Sequence, residues 1–76
     1  MIGPDVLRAL QEAMSLLSEA MEYLKEARAL LEPKRVSREA RSRASELIIA
    51  SNYRAKRACE LLTNVFVKLL EGACNV

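Results

Sequence analysis

Residues 31–37, with the sequence LEPKRVS, separate two long segments that have the composition and the apolar spacing of α-helices. Pro33 disfavours helical geometry in the residue before it, so a helix arriving from the N-terminal side should end at about Glu32. Ser37 carries a side-chain oxygen suited to accept a hydrogen bond from the first backbone N–H groups of a following helix. The stretch therefore predicts a turn over residues 33–36 that joins two helices.

The first helix is predicted over residues 4–32. Pro4 suits the first helical position, where a missing N–H has no partner to lose, and Asp5 is favourable beside the positive helix end. Two adjacent apolar rows follow, and together they cover about half of the circumference, more than one neighbouring helix can bury. The Leu/Met row consists of Leu7, Leu10, Met14, Leu17, Met21, Leu24 and Leu31, interrupted by Arg28. The second row consists of Val6, Ala9, Ala13, Leu16, Ala20, Tyr23, Ala27 and Leu30.

The second helix is predicted over residues 38–71, with Gly72 as the residue that ends it and a tail over 72–76. Its apolar spacing continues through Ser51 and Asn52, which favours one unbroken helix, although a break there would give three helices. Helices joined by a short turn pack antiparallel. We therefore expect an all-α fold in which residues 1–76 form a single long antiparallel helical hairpin.

A chain of 76 residues with only 4% aromatic residues buries little apolar area by itself. Association is the usual way for so small a domain to complete its core. We therefore predict a homo-oligomer, with a dimer that forms a four-helix bundle as the favoured state. The residues predicted to form the core or the dimer contact are Leu10, Met14, Leu17, Met21 and Leu24.

The C-terminal part of the second helix is predicted to project beyond the first. Placing Leu31 beside Arg38 puts Pro4 level with Val65, and the residues that follow are apolar on nearly every side of the helix. Exposed apolar surface of this kind favours a protein partner. The residues predicted to form this contact are Val65, Phe66, Val67, Leu69 and Leu70.

Positive charge is concentrated in the middle of the chain. Residues 34–57 contain eight basic and two acidic residues, a net charge of +6, whereas the remainder contains four basic and eight acidic residues, a net charge of −4. Nucleic acid or another polyanion is one expected partner for this segment. The alternative is a solvated face that pairs with the acidic face of a neighbouring helix. The candidate polyanion-binding residues are Arg38, Arg41, Arg43, Arg54, Lys56 and Arg57.

Catalytic and metal-binding patterns are missing from the sequence. It has no histidine, no glycine-rich loop and no C-x-x-C pair, which leaves neither a zinc motif nor an activated nucleophile. Cys59 is expected to be a small buried hydrophobe and Cys74 a free thiol. No apolar run approaches the length of about 18 residues that a membrane span needs, so we expect a cytoplasmic protein that does not contact a membrane.

These observations predict a non-catalytic helical interaction or assembly module that needs no cofactor and is not an enzyme. One form of this prediction is a small accessory subunit recruited through its apolar C-terminal helix. The alternative is a helical dimer that binds nucleic acid through residues 34–57.

Overall fold

The structure is a computed structural model that describes residues 2–74, and side chains as far as Gly72. It contains two α-helices, α1 over Pro4–Leu31 and α2 over Arg38–Cys74. The helices pack against each other as an antiparallel pair in a body of 59 × 16 × 15 Å. The all-α helical hairpin predicted from the sequence is confirmed.

The start of each helix lies where the sequence places it. Gly3 has an extended backbone ahead of Pro4, and its carbonyl accepts the N–H of Val6 at 3.2 Å. At the start of α2, the side-chain oxygen of Ser37 accepts the backbone N–H of Ala40 at 3.1 Å. Both ends therefore use local signals, a proline in the first turn of α1 and a serine cap before α2.

The C-terminal end of α2 differs from the prediction. The helix continues through Gly72 to Cys74, and no glycine in residues 2–74 has a positive φ. Glycine permits the left-handed backbone that often ends a helix but does not impose it, so the predicted end at Gly72 is wrong.

The middle of α2 is unbroken, and Ser51 is buried there. Its hydroxyl donates a hydrogen bond of 3.1 Å to the backbone carbonyl of Ala20 on α1. A small hydroxyl side chain therefore fits between the two helices and has a partner, as a buried polar group requires. This bond also places Ala20 opposite Ser51.

Small side chains at every seventh position line the contact between the helices. Ala13 packs in one buried cluster with Ala58 and Leu61, and Ala27 packs in another with Ala44 and Leu47. Side chains of this size let the two helix axes come close together. The buried positions with this spacing are Val6, Ala13, Ala20 and Ala27 on α1, and Ala44, Ser51, Ala58 and Val65 on α2.

The second apolar row of α1 is therefore the one that faces α2. Ala9 and Leu16 pack against the first cluster, and Tyr23 and Leu30 pack against the other. These side chains lie beside the small residues and extend the core toward one edge of the hairpin. The Leu/Met row lies on the other edge and contributes no fully buried side chain.

The alignment of the two helices also differs from the one assumed above. With Ala20 opposite Ser51 and Ala27 opposite Ala44, Pro4 lies level with residue 67 rather than with Val65. The difference is two residues, about 3 Å along the helix axis. It arises because the connection includes residues 32–37, so Leu31 and Arg38 are not level with each other.

The close contact predicts that enlarging a residue in it is harmful. Ala13→Leu should lower the free energy of unfolding by about 1–3 kcal/mol, because the added carbons have no space between the helices. Ala29→Leu is the matched control on an exposed position of α1 and should change it by less than about 0.5 kcal/mol. Urea unfolding at one fixed protein concentration measures both. Equal effects of the two substitutions would contradict the packing described.

Candidate interaction surfaces

One long side of the hairpin is apolar and exposed. On α1, Met14 is 63% exposed, Met21 54%, Leu24 44% and Leu17 43%, and Leu10 is half-buried. These five residues were predicted to form the core or the dimer contact, and they do not lie in the core of the hairpin itself. Their role in a contact between chains stays a prediction.

Helix α2 extends this surface with a row at seven-residue spacing. Ile48 and Leu62 are both exposed, and Ala55 between them is half-buried. Near the turn, Ile48 and Leu24 line the same shallow pocket between the two helices. The apolar face of the hairpin is therefore two helices wide and consists of Leu7, Leu10, Met14, Leu17, Met21, Leu24 and Leu31 of α1 with Ile48, Ala55, Cys59, Leu62, Phe66 and Leu69 of α2.

The α2 row was visible in the sequence but was not assigned to a site. Ile48 and Leu62 are exposed, whereas Ala44 and Ala58, each four positions earlier, are buried. The more exposed residues from Ile48 to Leu69 recur every seven residues as a row of their own. This row lies beside the buried row on the surface of the helix, and its spacing is the feature that distinguishes the two rows. Cys59 belongs to the same exposed side, so the prediction that it is buried is wrong.

The C-terminal overhang begins later than predicted. Val65 is only 5% exposed and belongs to the contact between the helices, so its assignment to the overhang is wrong. Phe66, at 60% exposure, and Leu69 lie on the apolar face, whereas Val67 lies on the side of α2 away from α1. Leu70 is also exposed. The projecting part of α2 therefore starts near residue 68, and its apolar residues continue a face that already runs along the hairpin.

The opposite long side of the hairpin is polar. Acidic residues recur at every seventh position of α1, and three of them form ion pairs with bases of α2. Glu19 pairs with Arg54 at 2.8 Å and Glu26 with Arg43 at 3.7 Å, and Asp5 pairs with Lys68. The acidic row consists of Asp5, Glu12, Glu19 and Glu26.

Arg54 makes the most extensive of these contacts. Its Nε donates to Glu19, its Nη1 donates to the carbonyl of Ala50 at 3.1 Å, and its guanidinium lies 4.6 Å from the centre of the Tyr23 ring. A guanidinium over an aromatic ring is attracted by the electron density of its face. Arg54 thus links the two helices along the polar edge at the middle of the hairpin.

The candidate polyanion-binding residues do not form one surface. Arg43, Arg54 and Arg57 are each paired with a glutamate, Arg57 with Glu60 at 3.1 Å. Arg38, Arg41 and Lys56 are exposed and have no ion pair among the described residues. The unpaired charge is therefore concentrated around the turn, where Lys34 and Arg35 precede Arg38 and Arg41.

Other kinds of site have little support in the described part of the chain. No group of three or more Cys, Asp or Glu side chains is placed to hold a metal ion there. Neither helix, as far as it is described, is long and apolar enough to cross a membrane. The predicted free thiol of Cys74 lies outside the side chains that the structure describes.

Comparison of the chain with known protein families, with curated proteins and with solved structures finds no match.

The ion pair between Asp5 and Lys68 links the N-terminal end of α1 to α2, and titration of the Asp5 carboxyl group tests it. The hydrogen bond from Lys68, together with its positive charge, holds the pKa of Asp5 below its ordinary value of 3.8. Because the pKa is lowered in the folded state, the contribution of this pair to stability is present at neutral pH. It is lost as the pH falls through that lowered pKa.

We therefore expect Lys68→Met to raise the pKa of Asp5 toward 3.8, as measured by NMR of the carboxyl carbon. Lys25→Met, which removes a lysine paired with Glu22 on the same chain, is the control and should leave the Asp5 titration unchanged. An Asp5 pKa that is the same in wild type and in Lys68→Met would rule out the pair.

Proposed function

We propose that this chain is a non-catalytic helical assembly module that acts by covering its apolar face with another helical surface. The observation that supports the proposal is the exposed apolar face, which runs along the hairpin and is two helices wide. Contiguous apolar surface of this extent is unusual on a chain that works alone in water. The proposed role of accessory subunit follows if the partner surface belongs to another protein.

The form of the face indicates a helical partner. It is elongated, and its large side chains recur at steps of three, four and seven residues, as in the contacts of helix bundles. Contact through the C-terminal helix alone, as predicted from the sequence, would leave the α1 part of the face in water. The whole face, including the overhang, is therefore the proposed contact.

Polar substitutions on the face should disrupt association. We expect wild type at micromolar concentration to have a mass above the 8.5 kDa of one chain. Leu17→Glu combined with Met21→Glu should weaken association by at least about 100-fold, since burial of each side chain contributes about 1.5–3 kcal/mol and a factor of ten corresponds to 1.4 kcal/mol. Light scattering after size-exclusion chromatography measures both.

The control for charge is Ser18→Glu, which adds a carboxylate at an exposed position between the two substituted residues but outside the apolar face. It should leave the mass unchanged. A wild-type mass of 8.5 kDa at tens of micromolar would refute self-association and leave only the form of the proposal in which another protein covers the apolar face.

Binding of a polyanion at the turn is a second candidate function. The observation that favours it is the group of unpaired bases at this end of the hairpin, Lys34, Arg35, Arg38 and Arg41. Because no aromatic residue lies among them, such binding would rest on phosphate contacts and would not distinguish base sequence.

If the turn binds nucleic acid, Arg38→Gln combined with Arg41→Gln should weaken binding and reduce the slope of log affinity against log salt by about 2. Arg8→Gln combined with Lys25→Gln removes the same charge from α1 and should have a much smaller effect. Fluorescence anisotropy of labelled RNA and DNA oligonucleotides at about 50 mM salt provides the measurement. Absence of binding by wild type under these conditions would exclude this candidate.

A further inference from the structure

We infer that the apolar face is covered by a second copy of this chain, with the two turns at opposite ends of the dimer, and that Phe66 of each protomer lies in the pocket near its partner's turn. This inference rests on the proposed function, which requires the face to be covered but leaves the partner and its orientation open.

Surface area supports a second copy as the partner. The hairpin exposes 6222 Å², whereas a compact monomer of this mass exposes about 4,700 Å². Its radius of gyration is 17.3 Å against about 11 Å for a compact domain of this length. Two separate hairpins expose more surface than a compact protein of twice the mass, and the difference is on the order of 4,000 Å². A dimer as compact as such a protein would bury about that area, which is typical of obligate dimers.

Charge determines the orientation. Residues 28–43, which include the turn and the helix ends beside it, contain six basic and two acidic residues. Turns at the same end of a dimer would bring two such groups together, and like charges at close range repel. Turns at opposite ends are separated by most of the 59 Å length of the hairpin, far beyond the screening length of about 8–10 Å. The second arrangement is therefore favoured.

The level of Phe66 along the partner then follows from the symmetry of the dimer. The apolar face runs from Leu69 to Leu31, and its middle lies near Leu17. A twofold axis through that point carries Phe66, which is level with residue 5 of α1, to the level of residues 28 and 29 of the partner. The pocket near the turn lies at that level and is lined by Leu24, Ala27, Arg28, Leu31, Glu32 and Ile48.

Phe66 is suited to this pocket by size and exposure. It is the one aromatic side chain on the apolar face, and most of it is exposed in the single hairpin. Arg28, the interruption of the Leu/Met row, lies at the pocket rim and pairs with Glu32 at 3.3 Å. In the dimer its guanidinium borders the edge of the pocket, where a charged group stays in contact with water.

A distance between spin labels tests the orientation. The label is placed on Arg35→Cys in a chain with Cys59→Ala and Cys74→Ser, and double electron–electron resonance gives the distance between the two copies. Turns at opposite ends predict about 50–60 Å, from the helical rise of 1.5 Å per residue. Turns at the same end predict less than about 25 Å, because neighbouring helix axes lie about 8–10 Å apart, and that result would overturn the inference.

Substitution tests the pocket. Phe66→Ala should raise the dimer dissociation constant at least about 100-fold, because the dimer contains two such contacts, and Val67→Ala, on the outer side of α2, should raise it less than about threefold. In a chain that already carries Leu24→Ala, Phe66→Ala should raise the dissociation constant by a smaller factor than it does in wild type, since the two residues share one contact. Independent effects would overturn the assignment of the pocket.

The mass of the assembly separates this inference from the proposed function. A dimer with the short label distance, or an oligomer larger than a dimer, overturns the inference and leaves the proposed function standing. A monomer overturns the inference and leaves, of the proposed function, only the form in which another protein covers the apolar face.

Discussion

Small side chains at every seventh position bring α1 and α2 into close contact, and this contact determines where every other side chain lies. Ala13 opposite Ala58 and Ala27 opposite Ala44 leave no space for a larger residue between the helices. Burial of a methyl or methylene group contributes only about 0.8 kcal/mol, so a core made largely of alanine stabilises the hairpin weakly. Apart from Leu47 and Leu61, most of the large apolar side chains lie outside this core, and their burial requires a second surface.

The parts of the fold that sequence predicted are those set by local chemistry. Pro4, Pro33 and Ser37 act on the backbone beside them, and the helices begin and end around them as expected. The choice of core was not local. Either of the two adjacent apolar rows on α1 could have been buried. The row with the smaller residues is buried because it lets the two backbones come close together, and that depends on the residues of the opposite helix. The misplacement of Cys59, next to buried Ala58, has the same cause.

The same contact explains why part of the basic segment is paired with acidic residues. Because the acidic row of α1 lies beside the small residues, it meets the bases of α2 along one edge of the hairpin, and Glu19 and Glu26 pair with Arg54 and Arg43. Both arginines are among the candidate polyanion-binding residues. Most of the bases without an ion pair among the described residues, Lys34, Arg35, Arg38 and Arg41, lie near the turn, beyond the reach of the acidic row.

Neither the alanines nor the charges fix the alignment of the helices. A slip of seven residues would again set small residues against small residues, and Arg54 would meet Glu12 or Glu26 in place of Glu19. Such a slip, however, would make the connection between the helices seven residues shorter or seven residues longer. It cannot become seven residues shorter, because residues 32–37 are only six. Gaining seven would unwind helix beyond Ser37 or before Pro33, and the hydrogen bonds of those turns would be lost. The turn therefore selects one alignment among several that the helix faces accept, and through that alignment it determines which residues form the apolar face.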